Sequence, residues 1–392
     1  MKFSILLPTR NRLELLRHAI QSVREQAYAD WEIVVSDNAS DADVCGYVAS
    51  LREPRASCSR TAVLIPVTDN WNRALERSSG EYFIMLGDDD ALMPGCLEAM
   101  ARIALEWNKP QAIYVQALQY AYPGVVPGHE AAFVQTGYSE IFPDGAGAPF
   151  AVPRQLAARL ARDAMDFRIR YGFNMQHFVV SRELVDALRA KGPFFQSPYP
   201  DYYAANAVLL AARSLVADPR PRAMIGISPK SFGFYFQNRR EGEGVEFLRN
   251  LPEPAMLERL RGTLVPGSNM NDSWLIAMET LAQRFAEIPG LRPSYRRYRL
   301  LQYSLLARGE RPVAALLPHM RWWEYLFYAP AGALYALSYL LPGGLRRSVQ
   351  ESVRAALSAY PRFDPKRRTV PYRDILEAAH GEARGQPAEW RQ

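Results

Sequence analysis

Tyr82-Phe83-Ile84-Met85-Leu86-Gly87-Asp88-Asp89-Asp90 is an apolar run that stops abruptly in three consecutive carboxylates. Its length and its lack of a helical period predict a buried strand. Three adjacent like charges repel one another unless water solvates them or a cation is shared among them. At the carboxyl end of a strand in an open α/β sheet they would face the crevice in which such sheets bind ligands. Carboxylate oxygens in that place suit Mg²⁺ or Mn²⁺, ions that commonly hold a substrate's phosphates. A solvated acidic turn is the alternative, and the upstream sequence weighs against it.

Lys2-Phe3-Ser4-Ile5-Leu6-Leu7-Pro8 reads as a first buried strand and Thr9-Arg10-Asn11-Arg12 as a polar turn. Leu13, Leu16, Ala19, Ile20 and Val23 then recur at helical spacing, and Trp31-Glu32-Ile33-Val34-Val35 reads as a second strand. A strand, helix, strand unit of this length is a right-handed crossover with parallel strands. Val63 to Val67 is expected to be the third strand, Asn70 to Arg77 a helix, and the acidic triplet to close the fourth strand.

Residues 3 to about 100 resemble the nucleotide-sugar domain of glycosyltransferase family 2, a GT-A group of inverting enzymes. The matching residues are Ser4-Ile5-Leu6-Leu7-Pro8-Thr9-Arg10-Asn11-Arg12, Ile33 to Ser40, Asn70-Trp71-Asn72-Arg73-Ala74, and Ser79-Gly80-Glu81 through Asp90, followed by Met93-Pro94. One position departs from the family pattern: Gly87 stands where an acidic residue is usual. The resemblance implies a GT-A fold, a Rossmann-like and mostly parallel sheet flanked by helices, with a helical carboxy-terminal extension. The chain as a whole is expected to divide into a nucleotide-sugar half over residues 1–120, an acceptor half over 121–265, and a helical, basic, membrane-associating extension over 266–392.

The same resemblance implies roles for single residues. Asp37 would accept a hydrogen bond from the N3–H of a uracil or thymine, which favours a UDP or dTDP sugar; a turn-forming Asp is the alternative. Pro8, Thr9, Arg10 and Arg12 would line the base and diphosphate, arginine being suited to phosphate by its fork of donors. Asn70 would touch the donor or else cap its helix. Asp88 is expected near the ribose, and Asp89 or Asp90 on Mn²⁺ or Mg²⁺. Asp201, behind Pro200 and ahead of an apolar run, would be the general base, with a helix cap as the alternative. His177, Lys230, Arg239 and Arg240 are possible diphosphate or acceptor contacts, set against a structural histidine and a basic strand edge.

With 392 residues, 48% of them apolar and 22% charged, the chain has room for two or three globular domains. It opens directly on a strand, so no secretory signal is expected. Cys45, Cys58 and Cys96 are odd in number and lack metal-ligand spacing, which favours reduced thiols in a cytoplasmic protein. Tyr122 to Pro153 is rich in Pro and Gly and is expected to be a long loop acting as a lid. From Arg292 to Arg373 there are fifteen basic side chains against four acidic ones. Within that stretch Tyr325 to Leu341 carries no charge; it follows Trp322-Trp323 and is flanked by Arg321, Arg346 and Arg347. Such a segment suits attachment to an anionic membrane surface, a re-entrant anchor or a buried hairpin, and is short for a span. Residues 377–392 read as a loosely ordered polar tail. No motif for RNA or DNA binding is present, and no nucleic-acid partner is expected.

The expected reaction is therefore metal-dependent, inverting transfer of a sugar to a glycan hydroxyl. The acceptor would be a polyprenyl-diphosphate-linked glycan of O-antigen or capsule synthesis, at the cytoplasmic face of the inner membrane. Two rivals are a nucleotidyltransferase, which would need a glycine-rich loop after the first strand, and a non-catalytic membrane-bound scaffold.

Overall fold

The structure is a computed structural model. It describes residues 1–137, 139–143, 145–238, 240, 243, 254–267, 269–307, 317–326, 334, 337–356 and 367–385. The chain packs as two units, one of Met1–Ala158, Tyr171–Leu251 and Pro365–Gln392, the other of Arg159–Arg170 and Pro252–Asp364.

The first unit begins with β1 (Phe3–Thr9), α1 (Leu13–Arg24), β2 (Trp31–Asp37), α2 (Val44–Ser50), β3 (Ala56–Arg60), α3 (Val67–Glu76) and β4 (Tyr82–Met85). Then follow β5 (Ala91–Leu92), α4 (Cys96–Glu106), β6 (Ala112–Ala121), β7 (Phe133–Thr136), β8 (Phe150–Ala151) and α5 (Arg154–Met165). Next come β9 (Phe178–Ser181), α6 (Arg182–Leu188), α7 (Pro200–Ala211), β10 (Leu215–Ile227), α8 (Phe232–Gln237) and β11 (Arg368–Thr369). Phe3, Ile5, Leu7, Ile33 and Val35 form a continuous core with Leu16, Ala19, Ile20 and Val23 of α1. This is the pairing of strand face and helix stripe that the apolar periodicity requires.

β1 is parallel to β2 on one side and to β4 on the other, and β3 continues beyond β2. The chain thus moves outward from β1 to β3 and then returns to the far side of β1. That reversal opens a crevice beyond the carboxyl ends of β1 and β4. The expected sheet flanked by helices is present, but it is mixed rather than mostly parallel. β9 enters between β4 and β6 antiparallel to both, while β10 runs parallel to β6.

Several sequence expectations need correction. The third strand is Ala56–Arg60, not Val63 to Val67. It is a polar edge strand whose register on β2 is set by backbone pairing, whereas Val63 is exposed and Pro66 caps α3. The run expected to be a strand from Phe173 begins with a turn, Met175–His177, before β9. Tyr122 to Pro153 is not a structureless lid among the described residues. It contributes β7, paired with β6, and buries Val125, Val126, Phe133, Val134 and Ile141. Cys45 and Cys58 form a disulfide that joins α2 to β3, and only Cys96 is free and buried. Expecting three reduced thiols failed because the α2–β3 connection returns the chain to within 5.3 Å, Cα to Cα.

The polar tail is also corrected over its described part. β11 pairs with β7, and the helix Ile375–Gly385 buries Ile375, Ala378 and Ala379 against Ala91, Met93, Leu118 and Met224. The chain's end therefore belongs to the α/β unit; residues 386–392 lie outside the described residues.

The second unit is helical, with Asn269–Arg284 and Tyr295–Ala307 as its main helices. Trp274, Leu275, Met278, Leu281 and Tyr298 are buried, and a buried ion pair joins Arg299 Nε to Glu324 Oε1 at 2.6 Å. No helix among the described residues is long and apolar enough to cross a membrane.

Candidate active site

Thr9, the last residue of β1, donates its hydroxyl to Asp88 Oδ2 at 2.6 Å. The ends of the two strands that flank the topological reversal are thereby joined. Arg12, at the start of α1, lies over the same turn, with Nε 3.1 Å from Asp88 Oδ2 and Nη1 3.5 Å from Asp89 Oδ2. Burial works against the guanidinium's charge, but Asp88, Asp89 and Asp90 outweigh it and hold its pKa above the ordinary value. Asp88 is itself shifted upward by burial, with Arg12 opposing, and its buried Oδ1 has no hydrogen-bond partner. Asp89 Oδ2 accepts from the Ser228 hydroxyl at 2.7 Å, just beyond β10.

Asp90 has the opposite surroundings. Its Oδ1 accepts from Gly226 N–H at 2.8 Å. Its Oδ2 accepts from Gly87 N–H at 2.8 Å and from Gln176 Nε2 at 2.5 Å. The carboxyl is turned into the sheet with a hydrogen bond on each oxygen, so it braces the turn. This fold-back also accounts for Gly87, because a Cβ there would lie 2.4 Å from Asp90 Oδ2. Gly226 is constrained in the same way, since its Cβ would fall 2.0 Å from the carbonyl oxygen of Asp89.

Beside the triplet is a pocket of about 380 Å³, counting its open mouth, lined by Pro8, Thr9, Arg10, Arg12, Asn38, Leu64, Val67, Asn70 and Trp71. Five of these were expected from the sequence. Asp37 lies beneath it, fully buried. Its Oδ1 accepts from Ser40 N–H at 3.1 Å, while Oδ2 has no hydrogen-bond partner and lies 3.7 Å from Arg60 Nε. Turn formation and an oxygen left over for a ligand therefore coexist in one residue. Asn70 lines the pocket and does not cap α3, which starts behind Pro66. Its amide exchanges hydrogen bonds with Ser36, Oγ to Oδ1 at 2.8 Å and Nδ2 to the carbonyl at 3.0 Å.

α3 joins this pocket to Asp201. Asn72 Nδ2 donates to the Phe195 carbonyl at 2.8 Å, Thr68 Oγ1 donates to the Ser197 carbonyl at 2.6 Å, and Trp71 packs edge-on against Phe195. The braced loop leads directly into α7, where Tyr199, not Asp201, occupies the cap position. Asp201 is in the first turn, part-buried, and burial raises its pKa to about 7 against the hydrogen bond from Tyr202 N–H. A carboxylate tuned to that range suits general base catalysis near neutrality.

Other expected contacts are placed elsewhere. His177 is packed in the core, stacked on Tyr114 with Nδ1 2.9 Å from the Val115 carbonyl, and burial lowers its pKa to about 4. It is a neutral structural residue. Lys230 Nζ is held by Glu14 Oε1 at 2.8 Å and the Asn11 carbonyl at 2.9 Å, which ties the loop after β10 to the turn after β1. Arg240 is exposed and paired with Glu243. Arg239 lies outside the described residues.

Sequence reasoning missed Asn38, Trp71, Gln176, Gly226 and Ser228. Asn38 and Trp71 stood inside recognised motifs. The other three carry no local signal, because their roles depend on pairing across the sheet. The donor set suits a divalent cation: Asp88 has an orphaned buried oxygen, Asp89 stands beside it, and one arginine faces three carboxylates. Among the described residues no group of three His, Cys, Asp or Glu forms a complete cage.

Residues 4–135 match the family model for glycosyl transferase family 2. The chain is 35% identical over 109 residues to a GalNAc(5)-diNAcBac-PP-undecaprenol β-1,3-glucosyltransferase of Campylobacter jejuni, a match covering 27% of this chain and 35% of that protein. It is 28% identical over 105 residues to the UDP-Glc:α-D-GlcNAc-diphosphoundecaprenol β-1,3-glucosyltransferase WfgD of Escherichia coli, covering 27% and 42%. The chain thus spans well under half the length of these relatives. A crystal structure of Staphylococcus aureus TarS, residues 1–349, aligns over 93% of this chain and 94% of that one, with 19% identity and a TM-score of 0.47.

Proposed function

Since residues 4–135 form a glycosyl transferase family 2 domain, we propose that the whole protein transfers a sugar from a UDP or dTDP donor to a hydroxyl of a polyprenyl-diphosphate-linked glycan. The observation that carries the reading is the crevice itself. Thr9, Arg12, Asp88 and Asp89 meet at the carboxyl ends of β1 and β4 beside an open pocket, and Asp201 heads a helix braced to that pocket's wall. The pocket takes the nucleotide, with Arg10 and Arg12 facing its phosphates. Asp37 accepts from the base edge through Oδ2, the oxygen that has no hydrogen-bond partner in the fold. Asp201 removes the proton from the acceptor hydroxyl as that oxygen attacks, and a single displacement of this kind inverts the anomeric carbon.

Mg²⁺ or Mn²⁺ would be held by Asp89 with Asp88, and when bound it supplies charge to offset that growing on the leaving diphosphate. Asp90 supports this pair from below. The lipid-linked acceptors named for the two relatives support a role in surface polysaccharide or O-antigen synthesis, with the protein peripheral at the cytoplasmic face of the inner membrane.

The test supplies a panel of nucleotide sugars, Mn²⁺ and a synthetic polyprenyl-diphosphate glycan, and measures both products. Equal amounts of nucleoside diphosphate and extended glycan support the proposal. Release of pyrophosphate indicates nucleotidyl transfer and rejects it, as does failure of every donor to bind.

A further inference from the structure

The helical unit has an apolar surface that its own fold does not cover. The helix Gly343–Ala356 carries Leu345 and Val349 at helical spacing, with Arg346 beside Leu345. Leu345 is 56% exposed. The turn Ser338–Leu340 packs against this helix, with Leu340 82% exposed and Leu337 also open to solvent. Arg346 lies over the Tyr339 ring, 5.7 Å from its centroid. In residues 322–326 of the same unit, Trp322 and Leu326 are 76% and 68% exposed, next to an exposed Arg321. Of Tyr325 to Leu341, residues 327–333, 335 and 336 lie outside the described residues; Leu326, Leu334, Leu337, Tyr339 and Leu340 are exposed and Ser338 is buried.

Soluble surfaces seldom leave adjacent leucines and aromatics so open unless they meet a partner. We propose that residues 321–326 and 337–346 dock the protein on an anionic lipid bilayer, leucines in the acyl boundary and arginines at headgroup depth. Charge selects this occupant over a second copy of the chain. Between Arg292 and Asp364, the part of the basic stretch that lies in the helical unit, eleven basic side chains stand against four acidic ones, so two copies of this unit repel, whereas anionic headgroups neutralise it. Exposed leucines next to an exposed arginine, and an exposed tryptophan next to another, are the make-up of an interfacial element. Docking deepens the proposed function by giving the enzyme access to a lipid-linked acceptor, but it does not depend on the donor or the chemistry.

The experiment is flotation of the full chain with vesicles of phosphatidylcholine alone or mixed with phosphatidylglycerol, at low and high salt. The wild type is expected to float with the anionic vesicles at low salt and to detach as salt rises. Leu340→Ser combined with Leu345→Ser should weaken vesicle affinity at least tenfold, and Arg321→Glu with Arg346→Glu likewise. All four positions are exposed, so melting temperature and nucleotide binding should stay unchanged. The proposal is overturned if the wild type ignores anionic vesicles or if both double variants float as the wild type does. It is also overturned if the leucine variant merely converts a dimer to a monomer without affecting flotation. Vesicle binding with no glycosyl transfer would reject the proposed function and leave docking intact.

Discussion

The rim and the floor of the crevice are made from adjacent residues with contrasting environments. On the rim, Asp88 keeps a buried oxygen without a partner, and Arg12 is shared between Asp88 and Asp89. On the floor, every oxygen of Asp90 is engaged, and Gly226, which supplies one of those donors, is backed by Ile375 at the chain's far end. Unsatisfied polar groups in a fold signal a ligand still to come, whereas satisfied buried networks fix geometry. The two layers should therefore respond differently to substitution. Rim and base variants should lose binding or turnover while staying folded, and floor variants should lose stability first.

The largest effect is expected at Asp201. Asp201→Asn should lower kcat by roughly 10²–10⁴-fold while donor affinity, read by calorimetry, holds within a factor of about two. Full turnover by this variant would remove the base assignment. The wild-type pH profile offers a related check. With Asp201 raised to about 7, the base form is scarce below that pH. The rate should rise about tenfold per unit up to roughly pH 7 and then level off. Because the raised pKa favours the neutral acid in the fold, its contribution to stability is full below about pH 4. That contribution is lost as pH climbs through about 7, with the opposite sign to activity.

Next in size is the floor's backing. Ile375→Ala removes a fully buried side chain from the cluster behind β5 and β10 and should cost about 2–5 kcal/mol in denaturant unfolding. Removal of residues 320–392 would take β11 and this helix from the α/β unit, so such a truncation should fail to fold. A soluble, nucleotide-binding truncation would show β11 and the helix Ile375–Gly385 to be dispensable. Asp90→Asn is a smaller change. An amide has one acceptor oxygen for three donors, which predicts about 1–3 kcal/mol of destabilisation, with cation affinity preserved in the fraction that folds. If Mn²⁺ affinity collapsed while the melting temperature held, Asp90 would belong to the rim.

These contrasts also explain what could be read from the sequence. β1, β2, β4 and the triplet were legible because a crossover unit writes its apolar periods locally, and the polar residues follow directly at the strand ends. β3 was not, since Ala-Ser-Cys-Ser-Arg at a sheet edge carries no apolar run to find. Ser228, Gln176 and Gly226 reach the triplet from 139, 86 and 136 residues away, a distance over which no spacing rule operates. The final helix did carry a signal. Ile375, Ala378 and Ala379 stand at helical spacing, masked by the charged residues between and after them. His177 was ambiguous in sequence, and only its stack on Tyr114 decides for structure.

The account depends most on the crevice at the ends of β1 and β4 being the donor site. Calorimetric titration of UDP with Mn²⁺ into the wild type and into Asp89→Asn tests this directly, with the melting temperature of each recorded alongside. The wild type should bind one nucleotide per chain, and Asp89→Asn should lose at least tenfold in affinity, or about 1.4 kcal/mol, at an unchanged melting temperature. Equal affinity in the two proteins would place the nucleotide elsewhere and contradict the account.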